Sequence, residues 1–273
     1  MKILRYRKAS HTGYGRLLDE THFETLQGSP FESHVGTGER MALADVELLA
    51  PVVPRRVFGV GLNYVNHIRE VGAATPPIPM LFMKPDSTVI GPGVPIVYPR
   101  QGQEVHYEAE LAVVIGRRAR RVPRERALDV VLGYTCANDV SERVIQRAEM
   151  AMGVLLIGKG FDSFQPLGPW IATGLDPSNL RVQARLNGQT RQDSSTSDLL
   201  FDVPALVAYL SAAITLEPGD VIITGTPAGV GPMQPGDTVE IEVEGIGVLK
   251  NPVVAEAAVT PTALAESATS RTR

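Results

Sequence analysis

A mainly β, α+β fold is what this sequence predicts, on three observations. Short apolar runs rich in β-branched residues recur along the chain and are cut by Gly and Pro. Only a few segments carry helix start and stop signals. No regular strand–helix alternation runs through the 273 residues, which argues against a Rossmann or TIM-type parallel sheet.

The elements follow in order. Residues 1 to about 50 mix Gly, Thr and Glu with short apolar segments and read as a small N-terminal β-rich domain, 1–55. Pro51 and Pro54 mark its boundary. Val57–Gly61 reads as a strand, and Asn63 is placed to cap a short helix carrying His67 and Glu70. Pro76, Pro77 and Pro79 stiffen the loop ahead of Met80–Lys84. Residues 106–116 end in an apolar β-branched run and read as a strand. Residues 123–131 read as a helix, with Pro in the first turn and Gly133 past the end. Residues 139–149 and 204–213 read as two more. Strands are expected at 170–173, 182–186, 221–224 and 238–243, with Asn187-Gly188 as a hairpin turn. Gly219-Asp220 and Gly236-Asp237 read as turns that open strands. The main domain is thus 56–254. Residues 255–273, rich in Ala, Ser and Thr, read as a flexible tail.

Composition narrows the function. A net charge of −4, from 26 basic and 30 acidic residues, gives no general attraction to nucleic acid. The local cluster of Arg117, Arg118, Arg120, Arg121, Arg124 and Arg126 reads as a solvated turn and helix start. The one cysteine, Cys136, excludes an internal disulfide and reads as a small core residue, consistent with a reducing compartment. The N-terminus has no apolar signal core, and the longest apolar stretch, 150–157, is too short to span a bilayer. The expectation is a soluble cytoplasmic protein with neither membrane nor nucleic-acid partners.

Three acidic residues carry most of the chemical information. Glu108 and Glu110 lie at i and i+2 of a strand, so they project from one face. Adjacent carboxylates repel, and burying them without partners is costly. A hard divalent cation with oxygen ligands resolves the conflict, and Asp139 can complete a three-carboxylate site. Each has a plainer role when taken alone. Alternation with Tyr107, Ala109 and Leu111 suits a solvated strand face, and Asp139 with Glu142 suits a helix N-cap and capping box. His67 and Glu70, at i and i+3 of a helix, suit either a surface ion pair or a Glu-oriented His that takes a proton from water. Lys159, between two glycines, and Lys84, before Pro85, have plain readings as turn and surface lysines. The segment Thr224-Gly-Thr-Pro-Ala-Gly-Val-Gly231 lacks the Gly-Lys-Ser/Thr ending of a phosphate loop. Its glycines still let backbone N–H groups approach an anion.

Six segments in one order resemble the fumarylacetoacetate hydrolase family. They are Gly61-Leu-Asn-Tyr64 with His67 and Glu70; Phe82-Met-Lys-Pro85; Tyr107-Glu-Ala-Glu-Leu-Ala-Val-Val-Ile-Gly116; Asn138-Asp-Val-Ser-Glu-Arg143 with Gln146; Lys159-Gly-Phe-Asp162 with Pro166-Leu-Gly-Pro169; and 216–220 running to Thr224–Gly231. They span roughly residues 57–252. The resemblance implies a mixed β-roll with short flanking helices. It implies Mg²⁺ or Mn²⁺ on Glu108, Glu110 and Asp139, and a water-activating dyad of His67 and Glu70 on a mobile lid. Lys159 and Thr226 are implied to touch substrate oxygens, with Arg143 and Gln146 facing the pocket. Asn63, Tyr64 and Lys84 are carried over as substrate-binding positions, and a homodimer is the expected assembly. Two departures bear on substrate choice. Residues 154–157 are Val-Leu-Leu-Ile where relatives often carry a Gln-Trp pair, which hints at a less polar acyl end. His106 stands where Asp is frequent, and a surface histidine is the simplest reading.

The implied reaction is metal-dependent hydrolysis of a C–C bond in a β-diketo or 2-oxo acid of the acylpyruvate or fumarylpyruvate type, with enolate charge stabilised by the cation. The alternatives are an oxaloacetate-type decarboxylase, or an isomerase or hydratase of 2-hydroxymuconate-type products of aromatic catabolism. Family resemblance does not choose among them. A non-catalytic metal-binding module is disfavoured, because every ligand carboxylate and Lys159 are present.

Overall fold

The computed structural model describes residues 1–257. Ala255 closes a strand, the Glu256 N–H donates to Tyr98 O, and residues 258–273 of the expected tail lie outside the described residues. The architecture is mainly β, as the sequence predicts. A 12-stranded sheet runs, in order, through Gly36–Ala42, His22–Leu26, His11–Leu17, Lys2–Lys8, Gln165–Ala172, Val131–Asn138, Ala109–Ile115, Val221–Ile223, Val57–Gly61 and Met80–Lys84. Two short strands pair off this path. The N-terminal strands continue the same sheet, through the pairing of Lys2–Lys8 with Gln165–Ala172. A five-stranded sheet is built from Gln189–Ser195, Arg181–Leu186, Thr238–Val243, Gly247–Ala255 and Ile96–Tyr98. Parallel pairs, such as Val221–Ile223 with Val57–Gly61, make both sheets mixed.

The strand Ala109–Ile115 occupies the middle of the large sheet. Leu111, Val113 and Ile115 pack with Val182, Val239, Ile241 and Leu249 of the smaller sheet. Ala112 and Val114 pack on the opposite face with Ile3, Val57 and Ile223. Both faces are therefore apolar and dry, and the solvated-face reading of Glu108 and Glu110 gives way: both side chains are buried. The cause is tertiary, since strands remote in sequence cover each face. Cys136 is a core residue, and burial pushes its thiol up to about 12.

Four α-helices lie among the described residues: α1 (Val65–Glu70), α2 (Arg143–Ala151), α3 (Ile157–Gly160) and α4 (Val203–Ala213). The expected helix over 123–131 is a 3₁₀ turn, Arg124–Val130. The helix expected from residue 139 starts later, and its cap is Glu142, which accepts the Ile145 N–H at 2.6 Å. Asp139 is thereby free of any capping duty. Asn63 does not cap α1 either, since Tyr64 holds that position. Its amide instead donates to Phe201 O (3.0 Å) and Thr224 O (2.7 Å) and accepts from Phe201 N. A buried amide satisfied on all sides makes a firm joint between three segments. His106 is buried beside Glu104 rather than exposed, because Val105–Tyr107 is the middle strand of a small three-stranded sheet. No helix among the described residues is long and apolar enough to cross a membrane. The arginines of 117–126 lie along the surface, where Arg118 pairs with Glu217, Arg124 with Asp202 and Arg126 with Asp129.

Candidate active site

Antiparallel register brings the three carboxylates together. Ala109 lies opposite Asn138, so Glu108 and Asp139, one step beyond, are also neighbours. The Asp139 N–H donates to Glu108 O at 3.0 Å. Glu108 sits in a one-residue break between Val105–Tyr107 and Ala109–Ile115, and Glu110 points to the same side two residues on. Ligand oxygens of Glu108, Glu110 and Asp139 lie within 4.8 Å of one another, all buried.

Three cations sit among them. Lys159 Nζ bonds Glu108 Oε2 at 2.8 Å and Asp139 Oδ2 at 2.5 Å. Lys84 Nζ bonds Asp139 Oδ1 at 2.5 Å. Arg143 lies 2.6 Å from Glu108 Oε1, an ion contact rather than an aligned hydrogen bond. Lys84 and Lys159 are thus buried counter-ions, not the surface and turn lysines of the plainer readings. Burial alone raises the Glu108 carboxyl, but Lys159 and Arg143 overcome it and hold Glu108 well below the usual carboxylate range. Lys159 is likewise penalised by burial, yet Asp139 and Glu108 keep it above its ordinary value. Lys84 goes the other way, because burial outweighs Asp139.

Glu110 is the exception. Its one hydrogen bond among the described residues comes from the Gly225 N–H, at 2.7 Å. Burial and the charges of Asp139 and Glu108 push its carboxyl well above the usual range. A carboxylate in that position needs a proton or a cation. A carboxylate offers about four lone-pair sites, and the observed donors use only part of that capacity on each of the three groups. An all-oxygen, anionic, partly satisfied cluster fits a hard divalent cation.

Beside the carboxylates, α1 presents His67. Its Nδ1 lies 2.8 Å from Glu70 Oε2. The other oxygen of Glu70 accepts the Gly229 N–H at 2.9 Å, so Glu70 clasps the helix to the glycine-rich loop. Gly225 and Gly229 both adopt φ of +97°, and a Cβ on Gly229 would meet Arg191 O at 2.2 Å. The anions that this loop receives in the structure are the protein's own Glu110 and Glu70. Outside α1, Asp198 accepts the Asn66 N–H at 3.0 Å.

A polar chamber of about 60 Å³ is lined by His67, Glu108, Glu110, Asp139, Arg143, Gln146, Lys159 and Thr226, with Phe82, Met80 and Leu155 among its apolar walls. Asn63, Tyr64 and Lys84 stand behind that lining. Lys84 uses its donors on Asp139, Phe164 O and Val140 O. Tyr64 is buried with its hydroxyl lacking a partner among the described residues, and burial pushes that hydroxyl's pKa far up. Thr226 donates to Ala109 O at 3.0 Å and accepts from Gln192 Nε2 at 2.7 Å.

Two supporting residues escape sequence reading. Gln192 also binds the Ala109 N–H and Pro227 O, tying the Glu110 strand to the Thr226 turn. It stands in a polar strand with no motif around it. Glu149, on α2, accepts N–H bonds from Leu156, Ile157 and Gly158 and sets the start of α3, which carries Lys159. Nothing local distinguishes it from a solvated helix glutamate.

The sequence model of the fumarylacetoacetate (FAA) hydrolase C-terminal family matches residues 56–254. A second, described as Rv2993c-like, N-terminal, matches residues 1–51. A crystal structure of 5-carboxymethyl-2-hydroxymuconate delta-isomerase from Mycobacterium smegmatis superposes with a TM-score of 0.88 at 46% identity, covering 94% of this chain and 100% of that one. An oxaloacetate tautomerase of Xenopus laevis, a mitochondrial protein, is 42% identical over 225 residues, 78% of this chain and 70% of its own. Maleylpyruvate hydrolase from Sphingobium sp. SYK-6, solved with manganese(II) and pyruvate, superposes with a TM-score of 0.77 at 31% identity, covering 94% and 100%.

Proposed function

Because the chain belongs to the fumarylacetoacetate hydrolase family, we propose that it is a divalent-metal-dependent hydrolase cleaving a C–C bond in an acylpyruvate- or fumarylpyruvate-type 2-oxo acid. The observation that carries this reading is the His67–Glu70 pair, held at 2.8 Å in a chamber that also contains the buried acidic triad. Glu108, Glu110 and Asp139 would hold Mg²⁺ or Mn²⁺, which as a Lewis acid stabilises negative charge on substrate oxygens.

The remaining steps belong to the side chains. With Nδ1 donating to Glu70, His67 keeps a lone pair on Nε2 and takes a proton from water. The water oxygen bonds to the distal carbonyl carbon. The bond from that carbon to the methylene breaks, and its electron pair leaves as the enolate of the smaller 2-oxo acid. The proton on His67 returns to the enolate carbon. One water is consumed, and a carboxylic acid and a 2-oxo acid such as pyruvate leave. Lys159 has three donors and uses two on Glu108 and Asp139, which leaves one for a substrate oxygen. Arg143, Gln146 and Thr226 contact substrate, and Asn63, Tyr64 and Lys84 act through the framework behind it. The lid role of α1, the homodimer and a cytoplasmic location belong to the same proposal.

The similarity to an oxaloacetate tautomerase favours a second reading. A base placed like His67 equally moves a proton between carbon and oxygen of oxaloacetate, and decarboxylation or isomerisation uses the same enolate. A steady-state assay with Mg²⁺ or Mn²⁺ separates them. Cleavage of acetylpyruvate, lost in Glu108→Ala, supports the hydrolase. Interconversion of oxaloacetate tautomers or release of pyruvate from oxaloacetate, with acylpyruvates inert, sinks it in favour of the second.

A further inference from the structure

The polar chamber adjoins a second space of different character. A groove of about 280 Å³ is lined by Met80, Leu81, Phe82, Met150, Gly153, Val154 and Leu155. Met80, Phe82, Met150 and Leu155 line both spaces, so the two adjoin across these four side chains. Every side chain lining the groove is apolar. The cations that line the site, Arg143 and Lys159, belong to the chamber alone.

The groove is built rather than incidental. Met80 and Phe82 lie over Gly61 and Gly59, their cross-strand partners, where a Cβ would come within 2.3 and 2.2 Å of them. The opposite wall is residues 153–155, and the segment that follows is held by the three N–H bonds to Glu149. Val154 remains 54% exposed, Leu156 50% and Ile157 48%. Apolar surface left open beside a polar chamber marks a place where a ligand's hydrocarbon rests.

We infer that this groove is the acyl-group subsite, and that the substrate is a 2-oxo acid whose far end is an uncharged hydrocarbon rather than a second carboxylate. The inference rests on the reading of the chamber as the 2-oxo acid site. Adjacency argues for this occupant: a molecule with its oxo acid head in the chamber has the four shared side chains, and the groove beyond them, next to its far end. A distal carboxylate would lose water here and meet no cationic or hydroxyl side chain in the lining. The space holds roughly nine groups of water size, so chains up to hexyl, or a phenyl ring, fit. Each methylene buried there raises affinity or kcat/KM about two- to fourfold, the lower figure applying where the groove stays open.

The test uses the full chain with Mn²⁺. Calorimetry would compare straight-chain 2-oxo acids from pyruvate to 2-oxooctanoate with 2-oxo dicarboxylates of equal length, on wild type and Val154→Arg. Turnover of acetyl-, butanoyl- and hexanoylpyruvate would be measured in parallel. Wild type is expected to bind two- to fourfold tighter per methylene and to bind the dicarboxylates at least tenfold more weakly than their alkyl counterparts. Val154→Arg, at an exposed position that tolerates the change, should flatten the chain-length dependence and recover dicarboxylate binding. A flat chain-length series, or dicarboxylates bound more tightly by wild type, overturns the subsite. So does a flat series joined to a self-association in sedimentation that Val154→Arg abolishes, since a second copy would then cover the groove. Tail-dependent binding with every acylpyruvate inert defeats the hydrolase reading and leaves the subsite standing. Turnover without tail dependence does the reverse.

Discussion

Glu149→Gln perturbs the site without touching the chamber. Glu149 is 8% exposed; its Oε2 accepts the Leu156 and Gly158 N–H groups at 3.0 and 2.9 Å, and its Oε1 that of Ile157 at 2.7 Å. Glutamine keeps the shape, loses the charge and turns one acceptor atom into an NH₂. In its better orientation it keeps two bonds, now neutral, and sets a donor against the third N–H. A hydrogen bond to a charged group contributes about 1.5–3 kcal/mol and a neutral one about 0.5–1.5 kcal/mol. Weakening two and losing one therefore costs about 3–5 kcal/mol in a dry setting. Leu156 and Ile157 are half-exposed, so water reaches their N–H groups and the expected loss is about 2–3 kcal/mol. That corresponds to roughly 30- to 160-fold more frequent local opening.

Amide hydrogen exchange reads the effect directly. Exchange over 156–158 should accelerate by that factor, while the central strand Ala109–Ile115 stays unchanged. Because α3 carries Lys159, kcat/KM should fall as well, without a comparable loss of global stability. The same site predicts a pH dependence. Burial raises the Glu149 carboxyl, but the three N–H groups outweigh it and hold it below the usual range. A depressed folded-state value means that the stabilisation is complete above the unfolded value, about 4.3, and is lost as pH falls through the lower folded value. Wild-type protection of 156–158 should therefore weaken below about pH 4.3, and the variant should lack that step. Equal exchange in the two proteins at neutral pH would refute the anchoring role.

Three other outcomes follow from the site. His67→Ala should lower kcat by about 10²–10⁴ with KM little changed, and full turnover in that variant would rule out water activation by His67. Saturating Mn²⁺ at 100 times its Kd should add about 2.7 kcal/mol of unfolding free energy in urea titrations, and Glu110→Gln should remove most of that gain; an undiminished gain would place the ion elsewhere. Gln192→Leu strands the buried Ala109 N–H and Pro227 O and should cost about 2–5 kcal/mol of stability, and a loss under 1 kcal/mol would mean that the joint between the Glu110 strand and the Thr226 turn is not needed.

Much of this protein is readable one segment at a time. Strand alternation places Glu108 and Glu110 on one face, and helical spacing places His67 beside Glu70, because these relations depend only on local backbone geometry. The order of short motifs points to the family for a similar reason: each motif is a local solution to a local geometric demand, as at Gly225 and Gly229. Other properties depend on segments far apart in sequence. Residues 107–111 alternate like a half-solvated strand, yet remote strands cover both faces of Ala109–Ile115, and both carboxylates are buried. Lys84 and Lys159 look like surface lysines until their strand and helix bring both ammonium groups onto Asp139, 55 and 20 residues away. Glu149 and Gln192 have no motif because their partners are backbone groups, which carry no residue identity. Local pattern determined which side chains travel together. Only the tertiary structure decided which of them lose water, and burial is what gathers three ordinary carboxylates with Lys84, Lys159 and Arg143 into one dry cluster.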